Sequence, residues 1–155
     1  KIKALASILE DPIDYVYVEF LQLIYMNLIE KDYEKVIEQQ LTYREELGEE
    51  LFNELQHIVY AEHAYAYYFL GRYEEVIDTL KPYKIPSYLN HPLDIARSYR
   101  TYAIKALAYF KLGDIENAKR EILYAVDGVK QYENLGDKRF ILQAYDEIIG
   151  GNEDV

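Results

Sequence analysis

The side chains that could bind a metal ion or transfer a proton are few and poorly spaced for either task. His57 and His63 are six residues apart, which separates them by about 240° around a helix, so they do not share a ligating face. His91 precedes Pro92 at the predicted start of another helix. The chain has no Cys, and none of its Ser residues lies in the setting of a nucleophile elbow. We therefore predict no catalytic residue, no metal site and no cofactor.

The densest group of carboxylates surrounds Gly48 and consists of Glu45, Glu46, Glu49 and Glu50. Such a group could hold a cation loosely. Glu49 and Glu50, however, fall at the predicted N-terminus of a helix, where negative charge is favourable. We interpret the cluster as a solvated turn.

Composition excludes several classes of protein. The 155 residues suit one domain, and 17 cationic against 28 acidic side chains give a net charge of −11, which argues against direct binding of nucleic acid. No apolar run has the length of a membrane span, and no signal-peptide pattern opens the chain, so we expect a cytoplasmic protein without a membrane partner. Because the chain begins at Lys1 and its only Met is Met26, we expect a piece of a longer protein.

Internal repeats organise the sequence. Residues 47–80 align with residues 89–122 without gaps, at a period of 42 residues. A weaker copy precedes them, with Lys31 in the place of a glycine, and a fourth copy begins at Leu135 and stops after one helix. The matched positions of the two strong copies include Tyr60 with Tyr102, Ala64 with Ala106, Tyr67 with Tyr109 and Gly71 with Gly113.

Each copy has the pattern of two helices joined by a tight turn. Between residues 89 and 112 the apolar side chains recur every three or four residues, and the one Pro, Pro92, lies in the first turn. Gly113 is suited to a left-handed helix end, and Asp114 is suited to cap the helix that follows. The small residues Ala64, Ala106, Ala118 and Ala125 would let the helices approach closely.

These motifs resemble the tetratricopeptide repeat. In that comparison Tyr60 and Tyr102 correspond to its early aromatic residue, Ala64 and Ala106 to its small residue, and Gly71 and Gly113 to its turn. The period of 40–42 residues instead of 34 matches a subgroup with long repeats. The resemblance implies an all-α, right-handed solenoid in one domain, with three helix pairs (about 13–46, 47–88 and 89–134) and a terminal helix (135–149). Residues 1–10 resemble the end of a further second helix.

The resemblance also implies a binding surface, because the first helix of each repeat lines the concave face in this family. Carried over copy by copy, that groove is aromatic in the middle and cationic along one wall. Its predicted peptide-binding residues are Tyr25, Leu28, Ile58, Tyr65, Tyr68, Phe69, Arg100, Leu107, Phe110 and Lys111, with Ala61 and Ala103 beside them. An alternative stays open, in which Arg100 and Lys111 pair with acidic residues of neighbouring helices and the aromatic residues pack on the terminal helix.

The expected function is non-catalytic binding of a peptide or protein segment. The resemblance to long-repeat members implies, more specifically, the sensor domain of a peptide-responsive transcriptional regulator. The lysine and asparagine clamp of members that bind chaperone tails is not evident, since its positions hold Ala61, Tyr65, Ala103 and Leu107. The alternative is a structural scaffold or oligomerisation module, and a homodimer is compatible with either function.

Overall fold

The computed structural model of the chain describes residues 12–40, 44–85, 92–133 and 135–150, and within these ranges it contains helices and no strand. The predicted all-α class is therefore confirmed. The predicted helix over residues 1–10 lies outside the described residues. The helices, numbered in chain order, are α1 (Pro12–Tyr25), which continues as a π-helical turn (Met26–Glu30), α2 (Tyr33–Glu38), α3 (Arg44–Leu47), α4 (Glu49–Phe69), α5 (Tyr73–Leu80), α6 (Pro92–Lys111), α7 (Ile115–Val129) and α8 (Leu135–Tyr145), which ends in a second π-helical turn (Asp146–Gly150).

Three tight turns fall at the positions that the repeat alignment predicts. Gly71 and Gly113 have φ angles of 76° and 85°, and Lys31 has a φ of 54°. This left-handed conformation ends one helix so that the next can begin, and glycine adopts it at little cost because it has no Cβ. Lys31 adopts it without that freedom.

Aspartate side chains cap two of the three second helices, α2 and α7, whereas α5 follows Arg72 and has no side-chain cap. The Asp114 carboxylate accepts a hydrogen bond from the backbone N–H of Asn117 at 3.2 Å, as expected for a helix cap. Asp32 accepts the equivalent bond from Lys35 at 3.4 Å. The left-handed turn residue is thus present in all three copies, and the aspartate cap in the first and third.

The helices contact one another in chain order. Within pairs, α4 packs against α5 and α6 packs against α7, the latter more extensively than any other two described helices. Each second helix also packs against the next first helix: α2 against α4, α5 against α6, and α7 against α8. The first helices follow one another as α1, α4, α6 and α8.

The buried core is divided between successive pairs rather than gathered in one place. One cluster lies among α1, α2 and α4, a second among α4, α5 and α6, and a third among α6, α7 and α8. Small side chains allow the close approach that the sequence predicts, since Ala64, Ala106, Ala118 and Ala125 are fully buried. At Gly128, α7 lies so close to α6 that a Cβ there would be 2.3 Å from the ring of Tyr99.

Candidate binding cleft

An open cleft of about 260 Å³ lies where the first helices α1, α4 and α6 face one another. The three helices are the first helices of three successive copies, so the cleft is formed by the packing of neighbouring helix pairs. The residues that line it are Tyr17, Phe20, Leu21, Ile24, Ile58, Ala61, Glu62, Tyr83, Asp94, Arg97, Ser98 and Thr101.

One wall of the cleft is apolar and belongs to α1. Phe20 is buried and holds α1 against α4, while Tyr17 and Leu21 are more than half exposed beside it. Ile24 follows one turn after Phe20 on the same wall. Side chains of this kind bind apolar groups by removing them from water.

The floor of the cleft is a buried carboxylate that is fully engaged with its neighbours. Glu62 on α4 is only 3% exposed. Its Oε2 accepts a hydrogen bond from Nη2 of Arg97 on α6 at 2.7 Å, and its Oε1 accepts one from Nδ2 of Asn27 at 3.0 Å. The same Asn27 nitrogen donates to the Glu62 carbonyl at 3.1 Å.

The charges of this group depend on one another. Burial acts to raise the pKa of Glu62, but Arg97, Arg100 and the hydrogen bond from Asn27 outweigh burial and hold that pKa below its ordinary value. Burial acts to lower the pKa of Arg97, and the Glu62 carboxylate raises it above its ordinary value. The carboxylate is therefore ionised and neutralised in place, and it is not poised to exchange a proton.

Polar groups form the opposite rim. Tyr83, which follows α5, forms hydrogen bonds with Thr101 and Ser98 of α6, and burial raises the pKa of its phenol. The ring of His57 lies edge-on to that of Tyr83, at 5.9 Å between centroids. Burial lowers the pKa of His57, so the imidazole beside this rim is neutral near pH 7.

The predicted groove residues fall into four places, of which the last is the surface of α6 that α8 covers. Ile58 lines the cleft, together with Ala61 one turn further along α4. Tyr25 and Leu28 are exposed on α1 and its π-helical turn, outside the cleft lining. Tyr65 and Phe69 lie in a separate aromatic group, with 4.7 Å between their ring centroids.

The aromatic group has its own partners on neighbouring helices. Phe69 stacks on Tyr33 of α2 at 5.7 Å and meets Tyr68 edge-on at 5.2 Å. The guanidinium of Arg100 lies 5.0 Å from the centre of the Tyr65 ring, as a cation–π contact. Burial raises the pKa of Tyr68 to about 12. These rings contact each other and not the cleft.

The terminal helix α8 covers the predicted groove residues of α6. Leu107 is 4% exposed and belongs, with Ile141 and Ile148, to the third core cluster, against which Phe110 also packs. Lys111 pairs with Glu147 at 3.3 Å. Ala103 is fully buried. For these α6 residues the structure matches the alternative that the sequence left open, in which they pack on the terminal helix and pair with its acidic residues.

Arg100 has partners on the same side. It is buried, and Nη1 lies 3.6 Å from the Asp137 carboxylate of α8. Burial and repulsion by Arg97 lower the pKa of Arg100, while Glu62 and Asp137 act to raise it. A cation in this setting stabilises the junction of α4, α6 and α8, and it does not face an open groove.

Sequence reasoning missed Tyr17, Leu21, Glu62 and Arg97. One signal was available for Glu62, since it is the only carboxylate among the apolar and aromatic residues 58–69 of α4. An isolated acid in such a helix indicates a buried partner of opposite charge. The side chain that fills this role, Arg97, is 35 residues further along the chain.

Comparison with known proteins returned nothing: no protein-family model, curated protein or solved structure matches the chain at a significant level. In the part of the chain that the structure describes, no three His, Asp or Glu side chains lie close enough together to hold a metal ion. Among the same residues, no helix is both long enough and apolar enough to cross a membrane.

Proposed function

We propose that this protein is a non-catalytic module that binds a peptide or protein segment, and that an apolar side chain of the segment occupies the cleft between α1, α4 and α6. The observation that carries the proposal is an open cleft whose one wall is apolar, beside polar groups that already bond to one another. A segment that enters gains apolar burial without breaking the bond between Glu62 and Arg97. Burial of one large apolar side chain supplies about 1.5–3 kcal/mol.

The order of helix contacts supports a repeat architecture for the module. We propose that the three helix pairs and α8 stack as a right-handed solenoid of the tetratricopeptide-like kind, since second helices contact the next first helix throughout the described chain. On the same resemblance, we propose that the bound segment acts as a signal to an attached output domain. The covered position of Leu107 and Lys111 restricts the proposed site on α6 to the N-terminal half of that helix.

Selection from a random peptide library on the immobilised protein tests this proposal. The variant Ala61→Trp places a large ring in the cleft, and we expect peptides selected on the wild type to bind it at least about tenfold more weakly. Leu123→Trp is the matched control, because Leu123 is exposed on α7, outside the cleft. Circular dichroism establishes that both variants are folded. Equal binding to Ala61→Trp and wild type, or no enrichment of any peptide, would contradict the proposal.

A further inference from the structure

An exposed apolar stripe continues from the cleft along α1. It consists of Tyr17, Leu21, Tyr25, Leu28 and Ile29, and we call it the α1 stripe. Tyr17, Leu21, Tyr25 and Leu28 follow at spacings of four, four and three residues and so share one side of the helix, and Ile29 lies next to Leu28 at the edge of the stripe. Each is between 39% and 66% exposed. Large apolar side chains exposed together along one helix indicate an interaction site.

The stripe and the cleft form one surface, because Tyr17 and Leu21 belong to both. From Tyr17 to Ile29 the stripe is about 18 Å long, at 1.5 Å per residue. That length matches about three turns of a partner helix. A helix that presents apolar residues at spacings of three and four can place one of them in the cleft and the others along the stripe.

The charge of the whole chain favours a cationic partner. The net charge is −11, and the segment from Tyr17 to Ile29 that carries the stripe contains no Lys or Arg, although Lys31 follows two residues later. A basic segment would be drawn to this surface and oriented on it. A second copy of this chain would instead bring two acidic helices together, which like-charge repulsion opposes.

We infer that the partner is a basic amphipathic helix of another protein, which lies along the α1 stripe with its apolar face inward and its cationic face toward solvent. This inference rests on the proposed function, since one apolar side chain of the helix occupies the cleft. It adds the helical form, the positive charge and the position of the partner along α1.

Fluorescence anisotropy with two labelled peptides of about fourteen residues tests the inference. Both have Leu at helical spacing, and the remaining positions are Lys in one peptide and Glu in the other. We expect the Lys peptide to bind at least about tenfold more tightly than the Glu peptide and to weaken as salt is raised. The double variant Leu21→Asn with Tyr25→Asn should lose at least about tenfold in affinity for the Lys peptide.

The control variant replaces two side chains that are equally exposed elsewhere, Leu123→Asn with Tyr124→Asn on α7. If it loses as much affinity as the α1 variant, attraction of the Lys peptide is general and the inference is wrong. Equal binding of the Glu peptide overturns the cationic partner and leaves the proposed function standing.

Two further outcomes assign the stripe to another occupant. A wild-type dimer that becomes a monomer in the Leu21 and Tyr25 variant, measured by light scattering, would mean that a second copy covers the stripe. Binding of the Lys peptide only after removal of residues 1–11 would mean that this chain covers its own stripe. Either result overturns the inference. The library selection with Ala61→Trp tests independently whether a peptide binds in the cleft.

Discussion

Lys31 is the only residue other than glycine with a positive φ among those described, and it occupies the turn position that Gly71 and Gly113 occupy in later copies. Its backbone is left-handed and its side chain is exposed, so replacement by glycine would remove no buried side chain. A residue with a Cβ adopts this conformation at a cost of about 1–2 kcal/mol that glycine largely avoids.

We therefore expect Lys31→Gly to raise the free energy of unfolding by up to about 1 kcal/mol, measured by urea denaturation. Lys31→Ala serves as the control, because it removes the charge and keeps the strained backbone, and it should be nearly neutral. Equal stabilisation by both variants would mean that the charge of Lys31, not its φ, is the cause.

His63 gives the molecule a dependence on pH near neutrality. It is buried, and its Nε2 lies 2.9 Å from the carbonyl oxygen of Gln39, which can only accept, so Nε2 carries the proton of the neutral ring. Burial lowers the pKa of His63 below its ordinary 6.5, despite the neighbouring Glu62. The unfolded chain thus binds a proton more readily, and stability should be full above about pH 6.5 and fall as the pH drops through it.

Urea midpoints near pH 7.5 and about pH 5.5 measure this effect. Wild type should be less stable at the lower pH, and the difference should shrink in His63→Gln, whose amide can still donate a hydrogen bond. His57 has a lowered pKa of the same sign, so His57→Gln should remove a separate part of the difference. A difference that His63→Gln leaves unchanged would contradict the assignment.

At the scale of elements, the bond between Glu62 and Arg97 joins α4 to α6, and Asn27 extends it to the turn after α1. Removing one member of a buried pair leaves the other charge without compensation, so we expect Glu62→Ala to cost about 3–5 kcal/mol of unfolding free energy. The double variant Glu62→Met with Arg97→Met should recover part of that loss. A loss below about 1 kcal/mol for Glu62→Ala, measured by urea denaturation, would show that the pair does not hold these helices together.

The terminal helix contributes to the core as well as covering α6. Ile148 in its π-helical turn is fully buried with Ile141, against α6 and α7. We expect Ile148→Ala to cost about 2–5 kcal/mol of unfolding free energy. Leu142→Ala is the matched control, because Leu142 is largely exposed on the same helix, and it should change stability by less than about 1 kcal/mol. Similar effects of the two variants in thermal melts would mean that α8 is not docked as described.

The sequence predicted what depends on neighbours along the chain. The turn at Gly71, the cap by Asp114 and the helical spacing of α6 are local features, and the structure has them. The site was harder to predict. The groove residues of α6 were assigned from the repeat pattern alone, which does not show that α8 packs against them.

At the scale of the whole molecule, the proposed solenoid has a consequence for cooperativity. Its three core clusters lie between successive helix pairs, so a defect in one should act mainly on its neighbours. Val36 on α2 and Ile122 on α7 are both fully buried, in the first and third clusters. Truncation of either removes apolar contacts worth about 1–4 kcal/mol.

Hydrogen exchange measured by mass spectrometry should therefore separate the two ends. Val36→Ala should increase exchange in α1 and α2 while α7 keeps its protection, and Ile122→Ala should do the reverse, because local opening requires only the contacts of one cluster to break. The two variants are matched controls for each other, since both truncate a fully buried aliphatic side chain to Ala. If either variant increased exchange equally in all helices, the chain would open as one closed bundle, and the proposed stacking of independent helix pairs would be wrong.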